Sequence, residues 1–323
     1  MLYLNKDHLD AIGTNWHALI GVIQDAILNI HQGEYSQPVK PYLRYKNSKN
    51  RIIAMPAYIG GNTSMAGIKW IASFPDNFLK NLPRAHSVTI LNEEDTGKPL
   101  CTVNTTAISA IRTAAVSGVI IDAFKKARQI PELFNVSIIG FGPIGRIHLQ
   151  MVESLMEGRM GRICLYDLKG IERDSIDSAF GDKIQICNSW QECYTDADIF
   201  ITCTVSDNPY VDLPPKKGSL HLNVSLRDYT VSMRKYMDVI IVDDWVEVCR
   251  QNTDIENMHK LAGLQLEDTI SMIDLICNCK INLNNCREVV MFNPMGMAVF
   301  DIAIGGYYYK EAVQKAIGML MPD

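Results

Sequence analysis

The sequence predicts an α/β protein: a doubly wound parallel sheet in the middle of the chain and an α+β domain assembled from its two ends. Three observations predict it. From about residue 130 to 290, short apolar runs rich in β-branched residues alternate with helical stretches, the rhythm of βαβ units whose parallel sheet is buried on both faces. The first of those runs ends in Gly140-Phe141-Gly142-Pro143-Ile144-Gly145, a glycine turn that opens a helix. Residues 1 to about 120 instead mix an amphipathic helix with strand-like stretches and a hairpin. With ~100–200 residues to a domain, the 323 residues point to two.

In chain order, Leu19, Ile20, Val22, Ile23, Ile27, Leu28 and Ile30 recur at helical spacing. Arg51–Met55 and Gly67–Ile71 read as short strands, and Ser87–Leu91 and Pro99–Val103 flank the polar turn Glu93–Lys98 as a hairpin. Thr106–Lys126 is a long helix rich in Ala and Ile. The parallel strands are then Val136–Ile139, Arg162–Tyr166, Ile199–Cys203, Leu220–Val224 and Val239–Val242. The helix opened by the glycine turn should bury Ile147, Met151, Val152, Leu155 and Met156. The last thirty residues, with the run Tyr307-Tyr308-Tyr309, are expected to return to the first domain. The expected boundaries are 1–120 with 298–323 for one domain and 121–297 for the other.

Composition narrows the function classes. Apolar residues make up 47% and charged residues 21%, a globular balance. The 31 Lys and Arg against 36 Asp and Glu give a net charge of −5, and no basic stripe stands out. Neither nucleic acid nor an anionic membrane surface is an expected partner. No run reaches the ~18 consecutive apolar residues of a membrane span. Met1–Asp7 has no basic segment leading into an apolar core, so a cytoplasmic location is expected. The nine cysteines are scattered, which fits reduced thiols. Cys277, Cys279 and Cys286 show Cys-x-Cys spacing without a second pair to close a tetrahedral site, so no metal is expected.

The glycine turn carries the cofactor reading. Gly140 permits the tight turn, Gly142 lets the backbone approach a pyrophosphate, and Gly145 lets helix and strand pack closely. The helix that follows offers free N–H groups and a partial positive charge to that pyrophosphate. Asp167 ends the next strand, 22 residues after Gly145. A carboxylate there accepts from the adenosine ribose hydroxyls and repels a 2′-phosphate, so NAD rather than NADP is expected in a Rossmann domain.

Met55-Pro56, Gly67-Ile68-Lys69, Ile111-Arg112-Thr113-Ala114-Ala115, the glycine turn and Asn293-Pro294-Met295-Gly296-Met297-Ala298 together resemble the ornithine cyclodeaminase/μ-crystallin family over nearly the whole chain. The resemblance implies a homodimer, with a substrate-binding and dimerisation domain made from the N-terminal half and the C-terminal tail. The strands placed there would otherwise leave a sheet edge open. It also implies a small anionic amino-acid substrate, held by its carboxylate on Arg44, Lys69 and Arg112. Fixed cations suit that task, and Arg offers a fork that grips a carboxylate at both oxygens. Arg112 stands among Ile108, Ala110, Ile111 and Ala114, where an unpaired charge is costly.

Asp228 matches the family's catalytic carboxylate, with Lys69 as a second catalytic group. By its residues alone, Asp228 reads sooner as an N-cap before Tyr229-Thr230-Val231, and the catalytic role comes from the resemblance. The resemblance adds cofactor contacts from Arg112, Thr113, Pro143, Ile144, Thr204, Val205, Asn223, Met295 and Gly296.

Lys40–Arg44, Arg51–Pro56, Ile68–Ile71, Thr202–Val205 and Val242–Trp245 resemble one branch of the family. Its members cleave N-(2-amino-2-carboxyethyl)-L-glutamate oxidatively to 2-oxoglutarate and L-2,3-diaminopropionate, for siderophore or antibiotic biosynthesis. Such a substrate has three carboxylates, and Lys40 becomes a partner for a second one. Departures from the cyclodeaminase pattern point the same way. Ile53 stands where ornithine cyclodeaminases carry glutamate, and Lys69-Trp70-Ile71-Ala72-Ser73 replaces their Lys-Tyr-Val-Asn-Gly. A cyclodeaminase, a ketimine reductase, an alanine dehydrogenase-like enzyme and a non-catalytic dinucleotide-binding protein are the alternatives. His86 reads as a structural hydrogen-bonder sooner than a ligand contact.

Overall fold

The computed structural model describes residues 1–47, 49–128, 133–156, 158–278, 283 and 285–322, without the side chains of residues 78, 178 and 179. Two compact units emerge, Met1–Ala115 with Gly296–Asp323, and Val116–Met295. The first break thus falls inside the long helix rather than after residue 120, and the second falls before Gly296 rather than after residue 297.

The first stretch of chain holds β1 (Leu2–Leu4), α1 (Lys6–Ile12), α2 (Trp16–Gln32), β2 (Tyr35–Ser36), β3 (Tyr42–Leu43), β4 (Arg51–Ile59), β5 (Met65–Ser73), β6 (Ala85–Asn92), β7 (Pro99–Val103) and α3 (Ala107–Ala127). The middle holds β8 (Phe134–Ile139), α4 (Pro143–Met156), β9 (Met160–Tyr166), β10 (Ile184–Ile186), α5 (Trp190–Tyr194), β11 (Ile199–Thr202), β12 (Leu220–Asn223), β13 (Val239–Val242), α6 (Trp245–Val248), α7 (Asp254–Ala262), β14 (Thr269–Ser271), α8 (Met272–Cys277) and β15 (Val290–Asn293). The chain closes with α9 (Ala298–Gln314) and β16 (Met319–Leu320).

In the first unit the strands run β16-β1-β7-β6-β5-β4-β2, with β3 also paired to β4. β4 to β7 form an antiparallel meander. β4 and β5 are longer than their apolar runs, because pairing continues unbroken from Arg51 opposite Ser73 to Ile59 opposite Met65. Alternation then decides the faces. Met55, Ala57, Ile59, Met65, Lys69, Thr89 and Leu91 point to the buried side, where α9 packs on β4, β5 and β6 and α2 packs on α9. The apolar stripe of α2 is narrower than its sequence: Leu19, Ile20, Ile23, Ile27 and Ile30 are buried, Val22 is half-buried and Leu28 is exposed.

Among the described residues, this sheet exposes apolar surface on a face as well as short edges. Its outer strands β16 and β2 are two residues long, short enough to offer little to a pairing chain. The face opposite α9 instead shows Trp70, 45% exposed, between Ala54 and Val88, and Ile68 between Pro56 and Ile90. His86 is exposed on the same face, opposite Ala72.

α3 is long and apolar enough to cross a membrane by length and composition, and 67% of that apolar window is buried against the protein itself. It carries Arg112 in its first half.

In the second unit all pairings are parallel, in the order β10-β9-β8-β11-β12-β15-β13-β14. Every residue of β11, β12 and β15 is buried, which explains their unbroken apolar runs. β11 stops at Thr202 and β12 at Asn223, one residue short of the sequence reading in each case. α4 is rolled relative to expectation: Met151, Val152, Leu155 and Met156 are buried, but so are His148 and Leu149, while Ile147 is only half-buried. The rotation is stabilised by His148, which donates from Nδ1 to the Ile144 carbonyl at 2.8 Å and meets the Ser117 hydroxyl at Nε2, 3.0 Å away. Burial lowers that imidazole to about 4, so it stays neutral. Cys277 is half-buried and Cys286 exposed; Cys279 lies outside the described residues.

Candidate active site

Strand order reverses between β8 and β11, the topological switch point at which open parallel sheets bind ligands. The glycine turn leaves β8 there. Gly140 has φ +87°, and a Cβ on it would sit 2.6 Å from the Cys203 carbonyl carbon, so only glycine fits between the two strand ends. A Cβ on Gly145 would lie 2.2 Å from the Gly140 carbonyl oxygen, whereas one on Gly142 would meet nothing within 4 Å. The packing roles fall on Gly140 and Gly145, and Gly142 faces open space as a pyrophosphate cradle requires. Pro143 opens the 14-residue α4, where its missing N–H costs no hydrogen bond.

Asp167 follows β9. Its Oδ2 accepts from the Phe141 N–H at 2.8 Å and its Oδ1 from the Lys169 N–H at 2.9 Å, which fixes the carboxylate beside the turn. An open glycine, a free helix N-terminus and a fixed carboxylate together fit an adenine dinucleotide. Val205 is 66% exposed just after β11, and Met295 donates its N–H to Asp243 Oδ1 at 3.0 Å.

Asp228 lies on the turn after β12 and is fully buried. The N-cap reading fails: the 3-10 helix that follows spans Val231–Tyr236 and its cap position is Thr230. The Asp228 carboxylate instead accepts from Thr204 Oγ1 at 2.5 Å and from the Ser225 hydroxyl. Burial pushes its pKa up, and those hydroxyls oppose the push. The result is a buried carboxyl whose pKa is raised, suited to taking and returning a proton. Asn223 is also fully buried. It donates to Asn293 Oδ1 at 2.8 Å and to Asp254 Oδ2 at 3.0 Å, and accepts from the Leu226 N–H at 3.1 Å. Asn223 therefore shapes the turn.

In the first unit Lys69, Arg112 and Lys40 are buried together with Asp301 of α9. Lys69 Nζ pairs with Asp301 Oδ2 at 2.6 Å and reaches Ser109 Oγ at 3.2 Å. Arg112 Nε pairs with Asp301 Oδ1 at 3.0 Å. Lys40 Nζ donates to the Gly296 carbonyl at 2.8 Å. Gly296 has φ +85°, and a Cβ there would come within 2.5 Å of the Arg112 guanidinium, so glycine lets the backbone lie against that cation. Burial would raise the Asp301 carboxyl, but the charges of Arg112 and Lys69 outweigh it and hold the pKa low. Burial lowers Lys69 to about 8; Asp301 opposes this, and Arg112 and Lys40 add to it. One carboxylate between two paired cations, with a third adding its field, leaves positive charge in a dry place that an anionic ligand would neutralise.

Two other expected residues are less buried than this group. Arg44 is exposed beyond β3, with its guanidinium 5.5 Å from the Tyr42 ring centre. Thr113 is half-buried and donates to the Ser109 carbonyl at 2.7 Å along its own helix. Sequence reasoning missed Asp301, Asp254 and Thr89. The buried Thr89 hydroxyl lies on β6 opposite Lys69 and has no hydrogen-bond partner among the described residues. Only Asp301 had a signal: a carboxylate in the otherwise apolar run Ala298–Ile304.

The family model described as the ornithine cyclodeaminase/mu-crystallin family matches residues 10–316. Among curated proteins, the chain is 32% identical to N-((2S)-2-amino-2-carboxyethyl)-L-glutamate dehydrogenase of Staphylococcus aureus (strain NCTC 8325 / PS 47), over 98% of this chain and 97% of that one. Among solved structures, Thermococcus litoralis Δ1-pyrroline-2-carboxylate reductase, in complex with NADH and L-proline, superposes with a TM-score of 0.87 at 22% identity, covering 99% of this chain and all of that one. An archaeal alanine dehydrogenase dimer with bound NAD gives 0.84 at 23%, covering 100% and 99%. At those identities the two structures establish the fold.

Proposed function

The chain belongs to the ornithine cyclodeaminase/mu-crystallin family, and on that premise we propose that it is an NAD-dependent oxidoreductase that cleaves N-(2-amino-2-carboxyethyl)-L-glutamate to 2-oxoglutarate and L-2,3-diaminopropionate. The observation that carries the reading is the 32% identity, end to end, with the Staphylococcus aureus dehydrogenase named for that substrate. The buried cations support it, since the substrate brings three carboxylates. We place the reaction in the cytoplasm, where nine scattered cysteines fit reduced thiols. Its amino-acid product would serve siderophore or antibiotic assembly.

Substrate, NAD and water go to 2-oxoglutarate, diaminopropionate, NADH and a proton. NAD, when bound, supplies the hydride acceptor for the glutamyl α-carbon. Lys69 and Arg112 hold one carboxylate of the substrate, and Lys40 a second. Asp228 takes the proton of the water that adds to the resulting imine and returns it to the departing amine nitrogen. Gly142 and the α4 N-terminus would hold the pyrophosphate, with Gly140 and Gly145 packing the turn that presents it, and Asp167 would hold the adenosine ribose.

Purified protein with this substrate should generate NADH, with kcat/KM at least ~10-fold higher for NAD than for NADP, a preference of about 1.4 kcal/mol. NADH from L-alanine, or consumption of NADH by a cyclic imine with none formed from the glutamate adduct, would sink the substrate assignment. Equal use of NADP would remove the ribose role of Asp167.

Lys69 gives a separate handle on pH. Its amine is protonated below about 8 and neutral above it. The inhibition constant of 2-oxoglutarate, which has no group titrating in that range, should be flat from pH 6.5 to 7.5 and rise beyond pH 8. A constant value to pH 9.5 would take Lys69 out of carboxylate binding.

We also propose a homodimer through the Trp70 face of the first unit's sheet. Sedimentation at micromolar concentration should give twice the 36.3 kDa chain mass, and Trp70→Glu should shift the protein to monomer. A wild-type monomer would end this proposal.

A further inference from the structure

The turn that carries Asp228 is held from outside by a residue far along the chain. Asp254 is the first residue of α7, follows the N-cap Thr253 and is 1% exposed. Its Oδ2 accepts three hydrogen bonds: from the Asp228 N–H at 3.1 Å, the Tyr229 N–H at 3.1 Å and Asn223 Nδ2 at 3.0 Å. Its own N–H donates to the Leu226 carbonyl at 2.8 Å. Both ends of Asp254 therefore clamp the same segment, 223–229.

That segment needs a clamp. Leu226 has φ +62°, a left-handed conformation that a branched side chain adopts only under constraint. The bend it makes returns the chain so that Ser225, three residues earlier, caps the Asp228 carboxylate. A chain relaxed to extended φ at Leu226 would carry Asp228 away from Thr204 and Ser225. Asp254 supplies the acceptor for two consecutive N–H groups, those of Asp228 and Tyr229, that would be buried and unpaired without it. Its other oxygen, Oδ1, is buried with no hydrogen-bond partner among the described residues. Nothing in the packing of α7 alone calls for a carboxylate whose second oxygen goes unused. Three converging donors on one oxygen do.

We propose that Asp254 is the positioning residue of Asp228, fixing by its hydrogen bonds the direction in which the proton-carrying carboxylate points. The inference rests on the proton role given to Asp228 above. A neutral amide keeps an acceptor oxygen in place of Oδ2 and is the closest substitute for Asp254 in shape.

The test is steady-state kinetics with N-(2-amino-2-carboxyethyl)-L-glutamate and NAD, on Asp254→Ala, Asp254→Ser and Asp254→Asn, with Asp228→Asn alongside and active sites counted by NADH binding. Asp254→Ala should lose at least ~10-fold in kcat while KM stays within ~3-fold and NADH affinity within ~2-fold. Asp254→Asn, which keeps the acceptor, should recover kcat to within ~3-fold of wild type. Asp254→Ser is the milder deletion if the alanine variant does not fold, and should resemble it in kcat. Three outcomes overturn the inference: deletion variants with kcat within ~2-fold of wild type, deletion variants that lose NADH affinity in step with kcat, or a folded Asp254→Asn as slow as they are. Full activity in Asp228→Asn would instead strike the proton role itself, whatever the Asp254 series shows.

Discussion

Asp228→Asn should lower kcat by ~10²–10⁴-fold while leaving NADH affinity within a few-fold. The substitution is close to isosteric. Thr204 Oγ1 can still donate to the amide oxygen, and the Ser225 hydroxyl can turn to accept from the amide nitrogen. What disappears is the basic oxygen. The structure sharpens this test, because the cap position of the following helix belongs to Thr230 and no helix depends on Asp228. Its backbone carbonyl, which accepts from the Tyr210 and Val211 N–H groups at 2.8 Å each, is untouched by the change. A variant that folds, binds NADH and retains more than about a third of wild-type kcat would falsify the proton role.

The parts of this site that were legible in the sequence are those fixed by local rules. A glycine that opens the turn at φ +87°, a glycine packed on a carbonyl and an aspartate at the end of the next strand all lie within one βαβ unit, so spacing along the chain reports them. Long-range choices were not legible. Asp301 lies 232 residues from Lys69 and 189 from Arg112, and no periodicity ties them together. Asp254 stands 26 residues from Asp228 and, read locally, is an acidic residue in the first turn of a helix, where the dipole favours one anyway. Patterning also misjudged which apolar positions face inward. Leu28 and Ile147 are apolar enough for the core, yet α2 needs only a narrow stripe against α9, and the hydrogen bonds of His148 turn α4 away from Ile147. The dimer expectation shows the same limit: strands in a sequence announce edges, but only the folded sheet shows that the edge strands are short and that Trp70 is exposed on a face.

The second large effect is expected at Asp301. Asp301→Asn removes a carboxylate that both Lys69 and Arg112 pair with, at 2.6 and 3.0 Å, in a site where all three side chains are buried. Breaking a buried ion pair from one side typically costs ~3–5 kcal/mol, because the partner charge stays buried without compensation. For a unit of this size that corresponds to a fall in Tm of roughly 6–20 °C. The protein has one escape, the release of a proton by Lys69, which already sits at about 8 and would move lower without its anion. The sign of the pH dependence follows. A lysine whose folded pKa is depressed below its unfolded value binds fewer protons when folded, so stability rises with pH from the folded pKa up to about 10.5. In the variant that rise starts at lower pH than in wild type, so the gap in Tm should be widest near pH 6.5 and narrow toward pH 8.5. Arg112 keeps its charge throughout and has no such exit, so the gap should not close. Thermal unfolding of both proteins across that range measures it. A variant within about 3 °C of wild type at pH 7, against the expected fall, would show that the buried cations are compensated by something other than Asp301.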